Sequence, residues 1–168
     1  MFKPVKNYII TSLIILFFSV MYGQDLKKDI NMIINQWHKD AAESNFDAYF
    51  ETMSDDGIFI GTDALENWKV SEFKEFTKPF FDERNTWNFV PLERNIYSNS
   101  SNNVVWFDEL LDTWMGICRG SGVLVKDNNE WKIVHYVVSV AIPNENVKEV
   151  IATKKENDDI LIDLLREN

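Results

Sequence analysis

The side chains that could do chemistry are concentrated in one strongly strand-forming stretch, residues 104–144. They are Asp108, Glu109, Arg119 and His135. A carboxylate here could remove a carbon-bound proton if burial raised its pKa, and a nearby donor could then hold the developing oxyanion. His135, Tyr136 and Arg119 are the candidate donors. The alternative is that these charged side chains lie on the solvent-exposed face of a sheet.

Further candidates lie outside this stretch. Asp63 is a second possible base, although Glu66 three residues later favours a helix cap at this position. Five aromatic residues could form the wall of a pocket, with core packing as the alternative for Trp37 and Trp68: Trp37, Tyr49, Trp68, Trp106 and Tyr136. His38 follows Trp37 and turns away from its apolar stripe, so we expect it at the surface.

The composition argues against metal and cofactor sites. The chain has two histidines and one cysteine, in none of the spacings that bind zinc, and it has no glycine-rich phosphate loop. We therefore expect no metal and no cofactor. Cys118 cannot form an internal disulfide, and its apolar surroundings predict a buried, inert thiol.

A hairpin must position Arg119 and His135. If Asn128 and Asn129 form its tip, paired residue numbers sum to 257. Ser121 then faces Tyr136, and Arg119 faces Val138. His135 falls on the opposite face, with Cys118, Gly120 and Gly122. An Arg119 that pointed inward would need Asp108 or Glu109 as a partner, because a charge buried alone is costly.

Helical spacing of apolar residues predicts a first helix over 25–44 that contains Trp37. The elements that follow are a short helix at 46–53, a strand at 58–62, a helical segment at about 64–84 broken near Lys69, antiparallel strands that fill 86–143 with Pro91 in an edge or bulged strand, and two helical patches after Asn144. This segregated order indicates an α+β domain with a curled sheet.

The N-terminal 23 residues are typical of a secretory signal peptide: two lysines, an apolar run and then Gly23. That run is shorter than the roughly 20 residues of a membrane span, although an uncleaved anchor is the alternative. The expected location is secreted or periplasmic. A net charge of −10 repels phosphates and anionic lipids, so we expect neither nucleic acid nor membrane as a partner of the mature chain.

Four motifs in this order, "FIGTD", "WFDE", "RGSGVL" and "WKIVHY", resemble a SnoaL-like domain of the NTF2-like superfamily over residues 30–144. The resemblance implies an α+β cone in which a bent antiparallel sheet wraps around N-terminal helices and encloses a pocket. Members include polyketide cyclases, ketosteroid isomerases, dehydratases and a kinase association domain, and many form dimers through the sheet. The resemblance assigns no residue of this chain to a catalytic role.

These observations give a domain at 24–144, followed by a helical tail at 145–168. Three functions are consistent with them. The first is a secreted protein that binds a small, largely apolar ligand in the cone. The second is a cofactor-independent isomerase, cyclase or dehydratase that uses a pocket carboxylate, with Asp108, Asp63 or His135 as candidates. The third is a homodimeric assembly module without catalysis.

Overall fold

The computed structural model describes residues 26–167, so the predicted signal peptide lies outside the described residues. Four α-helices and six strands make one α+β domain. The elements are α1 (26–42), α2 (Phe46–Glu51), β1 (Met53–Ile60), β2 (Asn67–Lys69), α3 (Val70–Asp82), β3 (Val90–Ser98), β4 (Val104–Thr113), β5 (Gly116–Asp127), β6 (Glu130–Val140), a 3-10 turn (Asn144–Asn146) and α4 (Val147–Arg166).

All six strands form one bent sheet in the order β2-β1-β6-β5-β4-β3. The pairs are antiparallel except that β1 runs parallel to β6. β3 is an edge strand, and its register shifts between Pro91 and Glu93. This confirms the prediction for Pro91, since proline has no N–H to donate and is therefore confined to edge strands and bulges.

Helix α1 supplies the centre of the core. Its apolar stripe of Ile30, Ile34, Trp37 and Ala41 is fully buried. Trp37 meets the ring of Tyr136 from β6 edge-on, with centroids 4.8 Å apart. The helix therefore packs on the inner face of the sheet, as the apolar spacing predicts. Aromatic rings from α2, α3 and the segment before β3 fill the rest of the interior: Tyr49, Phe50, Phe73, Phe81 and Trp87.

The last hairpin confirms one prediction and corrects another. Asn128 and Asn129 form its two-residue tip, both with positive φ as a type I′ turn requires. The expected register holds from the tip to Leu124, which faces Ile133, but Val123 then faces His135. Val134 is therefore the extra residue of a β-bulge.

The bulge exchanges the faces of the residues beyond it. Tyr136 pairs with Gly122 on the inner face, and His135 pairs with Val123 on the outer face. The prediction instead paired Tyr136 with Ser121 and put His135 on the face of Gly120 and Gly122, because it assumed an unbroken alternation. Arg119 pairs with Ser139 on the outer face and is exposed, so it does not point into the cone.

Two further boundaries and the form of the tail differ from the prediction. β1 begins at Met53, directly after α2, and not at Ile58. Residues 64–66 make a turn, and the helix begins only at Val70 after the short strand β2. α3 continues past Pro79 to Asp82, close to the predicted end at about residue 84. The two helical patches of the tail form one helix, α4, which has no buried residue.

Gly120 leaves room for two buried polar side chains. A Cβ atom at this position would lie 2.5 Å from the Tyr136 hydroxyl and 2.8 Å from Oε1 of Glu109. Those atoms are hydrogen-bonded to each other, so moving either of them aside would break that bond. Gly122 similarly accommodates the ring of Phe107. The space above both glycines is therefore occupied by the protein's own side chains.

This arrangement predicts that Gly120→Ala destabilises the fold. Overpacking a core position costs about 1–3 kcal/mol, and we expect a loss of that size in the free energy of urea unfolding. Ser139→Ala, an exposed outer-face position on the neighbouring strand, is the control and should change little. Equal stability of the two variants would contradict the packing described above Gly120.

Candidate functional site

The centre of the candidate site is the carboxylate of Glu109, which is 1% exposed. Its Oε1 lies 2.8 Å from Nε2 of His38 and accepts a hydrogen bond from the Tyr136 hydroxyl at 3.0 Å. Its Oε2 lies 2.8 Å from Nε and 2.7 Å from Nη2 of Arg94. The four side chains come from α1, β3, β4 and β6, so Glu109 joins the helix to three strands.

The Arg94 guanidinium balances the charge of Glu109. Its Nη1 donates to the side-chain oxygens of Asn31 at 3.0 Å and Asn35 at 2.8 Å. Asn31, Asn35 and His38 follow helical spacing, so a polar edge of α1 runs beside its apolar stripe. A buried ion pair needs such additional hydrogen bonds to offset the loss of hydration.

Opposing effects act on the pKa of Glu109. Burial alone would raise it, but the hydrogen bond and charge of His38, together with Arg94, outweigh burial and lower the pKa. The group is therefore an ionised acceptor at neutral pH. Burial and then the neighbouring Glu109 raise the pKa of Tyr136 well above its ordinary value, so this phenol remains a donor.

His38 connects this cluster to a surface cleft of about 340 Å³. We call it the His38 cleft; its lining is Asn35, His38, Lys39, Ala42, Glu43, Asn88, Phe89, Val90 and Pro91. An ionised carboxylate only accepts, so Nε2 of His38 carries the hydrogen in its bond to Glu109. Nδ1 has no hydrogen-bonding partner within residues 26–167. In the neutral ring, Nδ1 is therefore an unused acceptor.

Four of the predicted site residues lie on the outer face of the sheet, away from Glu109. Asp108 accepts a hydrogen bond from Asn95 at 3.2 Å, and Trp106 stacks on Tyr97. His135 and Arg119 lie on the same face. The structure therefore does not bring these four residues to the Glu109 cluster.

The other predicted residues divide into interior and surface positions. Trp37, Tyr49 and Tyr136 are buried together, but of these only Tyr136 bonds to Glu109. Trp68 stacks on Phe76 at the surface of α3. Asp63 is exposed and accepts from the backbone of Leu65 at 2.9 Å, so the capping interaction forms within a turn and starts no helix.

Sequence reasoning missed Arg94 and misplaced His38, which is 3% exposed and not on the surface. The available signal was the spacing of Asn31, Asn35 and His38, which gives α1 a second, polar edge. Within residues 26–167, no group of three His, Cys, Asp or Glu side chains could hold a metal ion. Nor does any helix in that range have the length and apolarity to cross a membrane.

Solved structures establish the class of fold. An NTF2-like protein of unknown function from Pseudomonas putida superimposes with a TM-score of 0.58 at 12% identity, covering 71% of this chain and 89% of that one. An NTF2-like protein from Cytophaga hutchinsonii gives 0.58 at 12% identity over 68% and 98%. The association domain of CaMKII from C. elegans gives 0.58 at 18% identity over 70% and 97%. At these identities the likeness concerns the fold alone.

The family follows from the sequence of the same region. The SnoaL-like domain family matches residues 30–143, which is most of the chain. The protein therefore belongs to the SnoaL-like domain family of the NTF2-like fold, as the four motifs predict. Among curated proteins, none matches this chain.

The Glu109 cluster makes a prediction about pH. Glu109→Gln leaves Arg94 without its counter-ion, and we expect it to lower the free energy of unfolding at pH 7 by about 3 kcal/mol. The folded pKa of Glu109 is lowered, so its contribution is present above the unfolded value of about 4.3 and is lost as pH falls through the folded pKa. The difference between wild type and variant should therefore shrink below about pH 4.

Urea unfolding from pH 3 to pH 7 measures this effect. Asp108→Asn is the matched control, because it removes a carboxylate from the adjacent, outward-facing residue. A difference between wild type and Glu109→Gln that stayed constant down to pH 3 would rule out Glu109 as the responsible group.

Proposed function

We propose that the protein binds a small molecule in the His38 cleft. The observation that carries this proposal is the fixed imidazole of His38: Nε2 is held 2.8 Å from Glu109, while the ring lines a cleft of about 340 Å³. Small-molecule sites are typically hollows of about 300–1,000 Å³ with a few oriented polar groups. An imidazole whose Nε2 is hydrogen-bonded to a buried carboxylate is such an oriented polar group.

The lining indicates a ligand of mixed polarity. Phe89, Val90 and Pro91 offer apolar contact on the side of β3. Asn35, Lys39 and Glu43 on α1 offer polar contacts on the other side. The sequence predicts a largely apolar ligand in the cone; because aromatic rings pack that interior, we propose a partly polar ligand in the His38 cleft. A ligand hydroxyl or N–H group would satisfy Nδ1 of a neutral His38.

An isomerase, cyclase or dehydratase is a second candidate, and the Glu109–His38 pair is the observation that favours it. Glu109 is unsuited to be the base, because both of its oxygens already accept hydrogen bonds from protein groups. His38 would move the proton, while Glu109 would orient the ring and stabilise its protonated form. In this version the same cleft holds the substrate, and no cofactor is involved.

We also propose that the chain is exported and that it forms a homodimer. Residues 1–23 support export through their signal-like pattern. An apolar outer sheet patch supports the homodimer; it consists of Tyr97, Trp106, Val123 and Val137. Trp106 and Tyr97 stack there while nearly half exposed. Contiguous exposed apolar residues of this kind mark interaction sites.

Native mass spectrometry of protein purified from its host tests the binding proposal. We expect one small molecule per wild-type chain and about tenfold lower occupancy in His38→Gln, since one hydrogen bond to the ligand is lost. Glutamine can still donate to Glu109, which preserves the cluster. The same spectra should give the mass of a chain whose first residue is Gln24.

His135→Gln is the matched control, because it changes the other histidine of the chain on the outer sheet face. It should keep the ligand at the wild-type level. Wild-type protein without any bound molecule, or equal occupancy in both variants, would contradict the His38 cleft as the site.

Analytical ultracentrifugation tests the homodimer. We expect Trp106→Lys to weaken self-association at least about tenfold, because a central aromatic residue of an interface contributes a large share of its energy. Leu65→Lys, an exposed apolar position in the turn between β1 and β2, should leave the association unchanged. A wild-type chain that is monomeric at high concentration would contradict the proposed homodimer.

A further inference from the structure

Helix α4 carries an apolar stripe that the described part of the domain leaves largely uncovered. None of residues 147–166 is buried, and Ile151 and Leu165 are 56% and 65% exposed. At 3.6 residues per turn, a group of side chains falls within about 100° of the helix circumference. They are Val147, Val150, Ile151, Lys154, Asp158, Leu161 and Leu165, and we call them the α4 stripe.

A helix with this exposure gains stability from a partner surface. A helix of ordinary composition is marginal in water on its own, because most helical stability in proteins comes from packing of an apolar face. Within α4, Nζ of Lys154 lies 3.2 Å from Oδ2 of Asp158, but exposed ion pairs of this kind contribute little. The α4 stripe therefore indicates a docking face.

The α4 stripe is complementary to itself when two copies of the helix run antiparallel. If the midpoint of the pair is level with Glu156, apolar residues meet apolar residues, and each lysine of the stripe meets an aspartate. The facing pairs are Val147 with Leu165, Ile151 with Leu161, and Lys154 with Asp158. A two-fold axis makes every one of these contacts twice.

The charges of α4 disfavour the other arrangements. A parallel pair would place Lys154 against Lys154 and Asp158 against Asp158, and like charges across a helix pair act against its formation. Helices that lie on membrane surfaces are rich in basic residues on their polar face. Residues 147–166 contain four basic and five acidic side chains, so a second copy of this chain fits the α4 stripe better than an anionic lipid surface.

We infer that α4 is a dimerisation arm that packs, stripe to stripe and antiparallel, on α4 of a second copy. The helix is about 30 Å long, and the pair would cover five apolar side chains from each copy. The family match ends at residue 143, so this arm is additional to the SnoaL-like domain. The inference does not rest on the proposed dimer through the outer sheet patch, because α4 contributes no residue to that patch.

Cysteine cross-linking of the full chain tests the pairing. Val147→Cys and Leu165→Cys are prepared separately, mixed in equal amounts and oxidised mildly. We expect a disulfide between positions 147 and 165 of different copies, identified by mass spectrometry of the linked peptides, because the antiparallel pair brings these positions together. Neither variant alone should cross-link, since equal positions then lie about 27 Å apart along the axis.

Glu149→Cys mixed with Asp163→Cys is the matched control. These two positions are level with each other in the same pair but point away from the α4 stripe, so their yield should be at least about tenfold lower. Cys118 is buried and should not react. A 147–147 disulfide in Val147→Cys alone would show a parallel pair and overturn the inference, as would a 147–165 yield no higher than the control.

Exchange of the central charges tests the orientation without cysteines. In the antiparallel pair, Asp158→Lys places lysines opposite each other, and Lys154→Asp places aspartates opposite each other. Each variant alone should self-associate about tenfold more weakly than wild type in sedimentation equilibrium. An equimolar mixture should recover the wild-type constant, although neither helix regains its own ion pair between positions 154 and 158. Equal association in all samples would overturn the antiparallel pair.

Failure of the arm and failure of the proposed sheet dimer give different results. Trp106→Lys changes the outer sheet patch and leaves α4 intact. A 147–165 disulfide that persists in this variant shows that α4 pairs on its own, and one that is lost there shows that α4 pairs within the sheet dimer. Absence of the disulfide while association still depends on Trp106 overturns the arm alone.

Discussion

The fold is organised around the need to compensate one buried negative charge. Glu109 lies on the inner face of β4, where a lone carboxylate would cost several kcal/mol. Arg94, His38 and Tyr136 meet that need from three other elements. Each partner lies on a different element, so all of the bonds form together only when those elements are correctly placed. The carboxylate therefore fixes the relative placement of α1, β3 and β6 more specifically than apolar packing alone, which tolerates substitution by side chains of similar size.

The sequence predicts the elements better than it predicts the site, for physical reasons. Apolar spacing places Trp37 in the core, the Asn128–Asn129 pair marks the hairpin tip, and Pro91 marks an edge strand. The site depends on a bulge at Val134, and nothing in the local composition distinguishes this valine from its neighbours. One inserted residue decides whether Tyr136 or His135 faces inward. The position of His38 outside the apolar stripe predicts a surface side chain, but Glu109 on β4 provides a buried partner for it.

The chain shows how one fold can carry different sites. Its membership of the SnoaL-like family establishes the architecture, and other proteins with this fold need not share its chemistry. In this chain aromatic rings pack the cone interior, and the oriented imidazole of the buried His38 lines a cleft. A group that is fixed from inside and lines a cleft combines the precision of a core with a place for a small molecule. The glycines of β5 contribute by leaving the inner face free for Glu109, Tyr136 and Phe107.

The bulge at Val134 determines which aromatic side chain of β6 lies beside Glu109. Deleting Val134 would restore a regular ladder and leave Tyr136 opposite Gly122. Keeping Val134 in a ladder without the bulge would instead place His135 opposite Gly122, and an imidazole would replace the phenol beside the carboxylate. One residue without a partner on β5 therefore preserves the chemical character of the interior, and relatives that lack this residue could retain the same phenol in the same place.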